Sequence, residues 1–132
     1  MAEPVYYLDY IDAVELHFAL MNNWGETRFG VENRDLIESA LARPKHANIY
    51  EKADLVRQAA TLVFGLIKNH PWTGGNKRTA SFLMDEFLFR NGLELTATSA
   101  DLYEMSLAVE SDQWKVDEIE SWLRERVVIL YL

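Results

Sequence analysis

The residues best suited to chemistry lie in one stretch of nine, from His70 to Arg78. Within it, Gly74 and Gly75 leave the backbone free to point several N–H groups at one spot, where a helix is predicted to begin. Such a spot attracts anions, and phosphate is its usual occupant. Lys77 and Arg78 add two cations at the same helix start, where they oppose the helix dipole unless a bound anion offsets them. The stretch therefore predicts a phosphate site.

A base stands at the other end of this stretch. Histidine side chains ordinarily titrate near pH 6.5, so at neutral pH His70 can take a proton from a hydroxyl group. A base beside a phosphate site predicts transfer of a phosphorus group to an alcohol or to water. Taken singly, each feature has a more common explanation. A histidine at this place is more often a helix cap, two glycines more often form a tight turn, and two cations are more often surface charges. Their occurrence together favours the chemical interpretation.

The composition limits the classes of protein to which the chain can belong. Its 132 residues, 49% of them hydrophobic, suit a single domain over residues 1–132 with an ordinary core. The absence of cysteine excludes disulfides, thiolate metal sites and cysteine nucleophiles. A formal net charge of −8 makes nucleic acid an unfavoured partner. The sequence contains no long apolar run and no signal-peptide pattern. We therefore expect a cytoplasmic protein with no membrane partner.

Hydrophobic spacing predicts the helices that must position the loop. The helix over residues 51–69 is apolar around most of its circumference, so we expect it to be central and buried. The next helix begins at Asn76 or Lys77 and runs to about Arg90. Ahead of them, a helix over residues 9–24 has its predicted apolar face at Ile11, Val14, Phe18 and Met21.

Three further helices complete an all-α compact bundle of about six helices with a helix-loop-helix at its centre. They cover residues 33–42, about 99–110 and about 116–128, and a short extended segment covers residues 93–96. Pro44 is predicted to end the second helix, and residues 45–50 are predicted to form a loop or a short hairpin. Outside the loop, His17 is interpreted as structural, and Trp24, Trp114 and Trp122 are interpreted as core or helix-packing residues.

The central stretch resembles the motif of the Fic family, His-Pro-Phe-x-Asp/Glu-Gly-Asn-Gly/Lys-Arg. Trp72 replaces the aromatic Phe, and the residues that match are His70, Pro71, Gly75, Asn76, Lys77 and Arg78. The ending at residues 77–80 and the segment at residues 34–44 are similar to the death-on-curing (Doc) branch in particular. The resemblance covers roughly residues 5–127, which is nearly the whole chain.

The resemblance implies a Fic/Doc fold and a role for each motif residue. His70 would be the general base, Arg78 would neutralise phosphate charge, and Lys77 would crowd the nucleotide pose of nucleotidylating Fic proteins. Trp72 would anchor the loop from beneath. Phosphate oxygens would be held by the Asn76 side chain and by the backbone of Thr73, Gly74 and Gly75. A flap that docks the substrate chain would be formed by Lys45, His46, Asn48 and Tyr50.

A Doc-type protein would transfer the terminal phosphate of ATP or another nucleoside triphosphate to a Ser or Thr of a translation factor. The resemblance implies elongation factor Tu as the target and a Phd-type antitoxin as the partner. Two alternatives stay open. One is a Fic-type transferase of a nucleoside monophosphate such as AMP, and the other is a Fic-like binding protein that has lost turnover.

Two departures from the motif bear on these alternatives. Gly74 stands at the Asp/Glu position, so the usual protein ligand of Mg²⁺ is absent and no metal-ligating residue is assigned. Asp85 or Glu86 would be a substitute, but each lies about two helical turns further on. Ser81 stands where many nucleotidylating Fic proteins have a second Arg, which favours the Doc branch. A Gly74→Asp substitution is expected to raise metal-dependent transfer.

Overall fold

A computed structural model describes residues 4–130, which contain six helices and one two-stranded sheet. The helices are α1 (Tyr10–Asn23), α2 (Arg34–Glu51), α3 (Leu55–Asn69), α4 (Asn76–Arg90), α5 (Ser99–Glu110) and α6 (Val116–Arg124). The strands β1 (Leu93–Leu95) and β2 (Val127–Ile129) pair in antiparallel fashion, with Glu94 opposite Val128. The predicted all-α class and the six helices are confirmed.

Helix α3 is the centre of the bundle, as its hydrophobic pattern predicts. It packs against α2, α4, α5 and α6, and nine of its fifteen residues are buried. It starts at Leu55 rather than Glu51, because the carboxylate of Asp54 accepts a hydrogen bond from the Arg57 N–H (3.0 Å) and so caps the helix. It ends at Asn69, where the loop with the predicted chemistry begins.

Helix α2 continues through Pro44 to Glu51, so the predicted stop at Pro44 and the predicted loop or hairpin over residues 45–50 are wrong. An interior proline removes one helical hydrogen bond and costs about 3 kcal/mol. This cost is offset by packing, because Pro44 and Ala47 are buried where α2 lies along α3. The expected flap residues, Lys45, His46, Asn48 and Tyr50, therefore lie on a helix.

The buried face of α1 agrees with the predicted one in part, since Met21 is buried and Val14 packs against the core. Ala13, His17 and Met21 are buried, whereas Ile11 and Phe18 are 64% and 42% exposed. The sequence of α1 carries apolar residues on more than one face, and the packing of α1 against α2 and α4 decides which face is covered.

The last part of the chain is partly strand where helix is predicted. Helix α6 ends at Arg124, and residues 127–129 pair with β1 instead of extending the helix to residue 128. Trp114 and Trp122 pack against the core, which confirms their predicted role. Within residues 4–130, no helix combines the length and the apolar character needed to cross a lipid bilayer.

A network of ion pairs fastens α6 to the start of α3. Glu120 accepts hydrogen bonds from Arg57 Nη1 (2.8 Å) and from Arg124 Nη2 (2.6 Å), and its side chain is 20% exposed. Glu120→Gln is expected to lower the free energy of unfolding by about 1 kcal/mol, measured by urea denaturation. Glu125→Gln is the control, because that side chain is 78% exposed. Equal losses in the two variants would contradict a structural role for the network.

Candidate active site

The loop between α3 and α4 departs from ordinary backbone geometry at both ends. His70, its first residue, has φ 49° and ψ 53°, a left-handed conformation that costs a non-glycine residue about 1–2 kcal/mol. Gly75, the last residue of the loop, has φ 69°, and glycine adopts this conformation without that cost. These two positions confirm the predicted helix-loop-helix, and α4 begins at Asn76 as predicted.

Trp72 anchors the loop from beneath, as the resemblance implies. Its side chain is fully buried, and its backbone is held by the side chain of Asn76. The Trp72 N–H donates to Asn76 Oδ1 (2.9 Å), and Asn76 Nδ2 donates to the Trp72 carbonyl oxygen (2.8 Å). Asn76 thus closes the loop with both ends of its amide, and one N–H of Nδ2 is left for the predicted phosphate contact.

A second segment, residues 24–33 between α1 and α2, braces the loop; we call it the connector. The N–H groups of Glu32 and Asn33 both donate to the carbonyl oxygen of Pro71, at 3.0 and 3.1 Å. The Thr73 N–H donates to the Gly30 carbonyl oxygen at 2.8 Å. The connector therefore forms backbone hydrogen bonds along one edge of the loop.

His17 links the connector to α4 from within the core. Its Nε2 accepts a hydrogen bond from the Gly30 N–H (3.1 Å), so the proton of the neutral ring is on Nδ1, which donates to Thr79 Oγ1 (2.8 Å). The ring also stacks on Trp72, with centroids 4.1 Å apart. Burial lowers the pKa of His17 to about 4, so the ring is neutral at pH 7. The predicted structural role is confirmed.

The loop opens into a cavity of about 840 Å³ between α4, α5 and the connector. It is lined by every residue of the loop and of the first turn of α4 to which a catalytic or phosphate-binding role is assigned, namely His70, Thr73, Gly74, Gly75, Asn76, Lys77 and Arg78. None of the four expected flap residues lines it. In the described chain, the first-turn N–H groups of α4 have no acceptor on a side chain, which leaves them available to an anion.

Both cations of the motif are already paired with carboxylates. Lys77 Nζ lies 3.1 Å from Glu110 Oε2 on α5, and Arg78 Nη1 lies 3.2 Å from Glu26 Oε1 on the connector. The guanidinium of Arg78 also lies 4.2 Å from the centre of the Trp24 ring, a cation–π arrangement. Part of the cost of two cations at a helix start is thus offset by the chain's own acidic groups.

Several lining residues carry no signal in the motif. Trp24 is 59% exposed, so its predicted core role is wrong, and its ring covers Arg78 instead. The signal available in the sequence is the pair Gly25 and Gly30, which mark an irregular connector beside the loop. The lining residues that sequence reasoning missed are Leu20, Trp24, Glu26, Arg28, Phe82, Ser99, Leu102, Tyr103 and Ser106.

The metal position of the motif does not suit a metal in this chain. A Cβ atom at Gly74 would lie 2.5 Å from the carbonyl oxygen of Arg28, which is closer than real Cβ contacts come. A carboxylate at this position would therefore require the backbone of the connector to move. The described residues also contain no group of three or more His, Asp or Glu side chains able to hold a metal ion.

Asp85 is the substitute carboxylate that reaches the cavity. Its pKa is raised, mainly because burial penalises the charged form and then because Glu86 and Glu94 lie near. It stands ten residues after Gly75, which places it about 15 Å along the helix axis from the loop. Glu86 does not line the cavity, and its carboxylate pairs with Arg90 at 3.1 Å.

Comparison with known proteins concerns the same part of the chain. A family model described as Fic/DOC family matches residues 7–88, which is more than half of the chain and includes α1 to α3, the connector, the loop and most of α4. The wall that α5 contributes to the cavity lies outside the matched range. No curated protein matches the chain.

The buried His17 should make the stability of the protein depend on pH. Its folded-state pKa is about 4 and its ordinary value is 6.5, so the unfolded chain binds more protons between these values. The free energy of unfolding should therefore fall as the pH falls from 6.5 to 4, by at most about 3 kcal/mol. The difference between wild type and His17→Gln in urea denaturation, measured across this range, isolates the contribution. A midpoint for His17 near pH 6.5 in an NMR titration would contradict it.

Gly74 should tolerate a methyl group less well than Gly65 does. A Cβ at Gly65 would lie 2.6 Å from Arg43 Cδ, which can swing away, whereas a Cβ at Gly74 meets backbone. Gly74→Ala is expected to lower the free energy of unfolding by about 1–3 kcal/mol. Gly65→Ala should cost less, because alanine favours a helix by about 1 kcal/mol. The reverse order in urea denaturation would contradict the contact between Gly74 and the connector.

Proposed function

Because the chain belongs to the Fic/DOC family, we propose that it transfers the terminal phosphate of a nucleoside triphosphate to a hydroxyl group of a protein. The observation that carries this proposal is the convergence of a histidine base, two cations and free helix N–H groups on one cavity. Phosphoryl transfer requires little beyond these parts, since positioning and neutralisation of charge supply most of the catalysis.

In the proposed reaction His70 takes the proton of the target hydroxyl. The oxygen of that hydroxyl forms a bond to the terminal phosphorus, and the bond from this phosphorus to the bridging oxygen breaks. The nucleoside diphosphate leaves with the electron pair of the broken bond. The strained backbone of His70 fits this role, because strained residues concentrate where their side chain is held in a fixed place for function.

The loop and the start of α4 bind the phosphates in this proposal. The free N–H groups of the first turn and the remaining N–H of Asn76 donate to phosphate oxygens. Arg78 and Lys77 line the same cavity and neutralise the charge that builds up on the leaving diphosphate. No step is assigned to a metal ion, because the position of its usual ligand is filled by the backbone of Arg28.

The physiological setting follows from the resemblance to the Doc branch. We propose that the acceptor is a Ser or Thr of a translation factor, with elongation factor Tu as the first candidate to examine. A Phd-type antitoxin is the proposed partner, and the protein would act in the cytoplasm. The support for this branch is the pair Lys77 and Ser81, of which Ser81 is buried with its hydroxyl 3.3 Å from that of Ser106.

A second candidate function is transfer of a nucleoside monophosphate. It has the same base and the same anion site, and it differs in which phosphorus is attacked. Lys77 makes this candidate less favourable. It lines the cavity, and nucleotidylating Fic proteins have glycine at this position of the motif. A third candidate, binding without turnover, is favoured by the absence of a carboxylate at Gly74.

Labelled ATP separates these candidates. The protein is incubated with bacterial lysate, Mg²⁺ and ATP that carries its label at either the γ- or the α-phosphate. Label from the γ-phosphate alone is expected on a protein band. His70→Ala should reduce it at least about 100-fold, as loss of a general base does.

The control is Glu15→Ala, which removes an exposed side chain on α1 that does not line the cavity and has no assigned role. It should transfer label as well as the wild type does. Label from the α-phosphate alone would establish the second candidate. Nucleotide binding without any label would establish the third.

A further inference from the structure

Arg28 has two relations to the loop that the motif does not reveal. Its carbonyl oxygen fills the space that a side chain at position 74 would need. Its residue also lines the cavity into which the loop opens. One residue of the connector thus crowds the position of the carboxylate that would hold a metal, and the same residue forms part of the cavity wall.

The guanidinium of Arg28 differs from the other two cations of the cavity. Lys77 and Arg78 each have a carboxylate partner, at 3.1 and 3.2 Å. Within residues 4–130, Arg28 makes no ion pair and no side-chain hydrogen bond, although the chain carries 21 acidic residues. In a protein with a net charge of −8, an arginine on a cavity wall that forms no ion pair is available to an anionic ligand.

We propose that Arg28 binds the polyphosphate of the nucleotide and supplies positive charge in place of a carboxylate-held divalent cation. The inference rests on the proposed function, because it assumes that a nucleoside triphosphate occupies this cavity. Arginine is suited to the task, since its planar guanidinium donates two parallel hydrogen bonds to phosphate oxygens and stays charged at any relevant pH.

The proposal also explains why position 74 and position 28 belong together. A carboxylate at position 74 would recruit a cation to the phosphates, and the backbone of Arg28 leaves no room for it. The same backbone contact fixes where the Arg28 side chain starts. In this proposal the Arg28 guanidinium takes the place of a divalent metal ion. Nucleotide affinity should therefore depend little on divalent cations.

The test measures binding of ATP and of inorganic tripolyphosphate to the full chain by calorimetry, with EDTA and with Mg²⁺. The wild type is expected to bind both ligands in EDTA, with less than about a tenfold gain on adding Mg²⁺. Arg28→Gln should weaken binding in EDTA by about tenfold or more, the usual effect of losing a charged hydrogen bond. Arg28→Lys should recover part of the loss, because it restores the charge without the two-pronged donor.

Arg34→Gln is the matched control, since Arg34 pairs with Glu38 on α2 and does not line the cavity. It removes the same charge and should leave affinity unchanged. Thermal unfolding of each variant checks that the fold is retained. Binding of ATP by the wild type only with Mg²⁺, or equal affinities of Arg28→Gln and Arg34→Gln, would overturn this inference alone. Absence of ATP binding in both conditions would overturn the proposed function and this inference with it.

Discussion

The stack of His17 on the indole of Trp72 is the contact on which the rest of the site depends. It places a fully buried aromatic pair under the loop, with ring centroids 4.1 Å apart, and so fixes the height of the loop against the core. The two ring nitrogens of His17 then reach to the connector and to α4. A loop that joins two helices is ordinarily free to move, and this one is held from below and from one side.

The hydrogen bonds from the connector determine which backbone groups of the loop remain free to bind a ligand. The carbonyl of Pro71 and the N–H of Thr73 are used by the connector, so these backbone groups are satisfied without a ligand. The groups left over are the N–H donors at the start of α4, whose residues line the cavity together with His70. The connector is therefore a structural part of the site, and its close approach at Arg28 requires a residue without a side chain at position 74.

The sequence predicts those parts of the fold that are decided within a few residues. The end of α3, the loop and the start of α4 follow from His70, Pro71 and the adjacent pair Gly74 and Gly75, and α4 ends at Arg90 as predicted. The continuation of α2 through Pro44 does not follow, because contacts with α3 overcome a local penalty. The cover of Arg78 by Trp24 and Glu26 joins residues more than fifty positions apart, and no local pattern reports such a contact.

The carboxylate partners of the two motif cations do not close the site to phosphate, as a comparison of magnitudes shows. The side chains of Arg78 and Glu26 are 42% and 44% exposed, and ion pairs of this kind contribute about 0–1 kcal/mol. A charged hydrogen bond from arginine to phosphate contributes about 1.5–3 kcal/mol, and a bound polyphosphate would also meet the helix N–H groups, which no carboxylate of residues 4–130 caps. Glu110 stands in the same relation to Lys77, with side chains 42% and 33% exposed. These carboxylates therefore lower the cost of keeping two cations at a helix start, and under the proposed function we expect a phosphate group to displace them with a net gain.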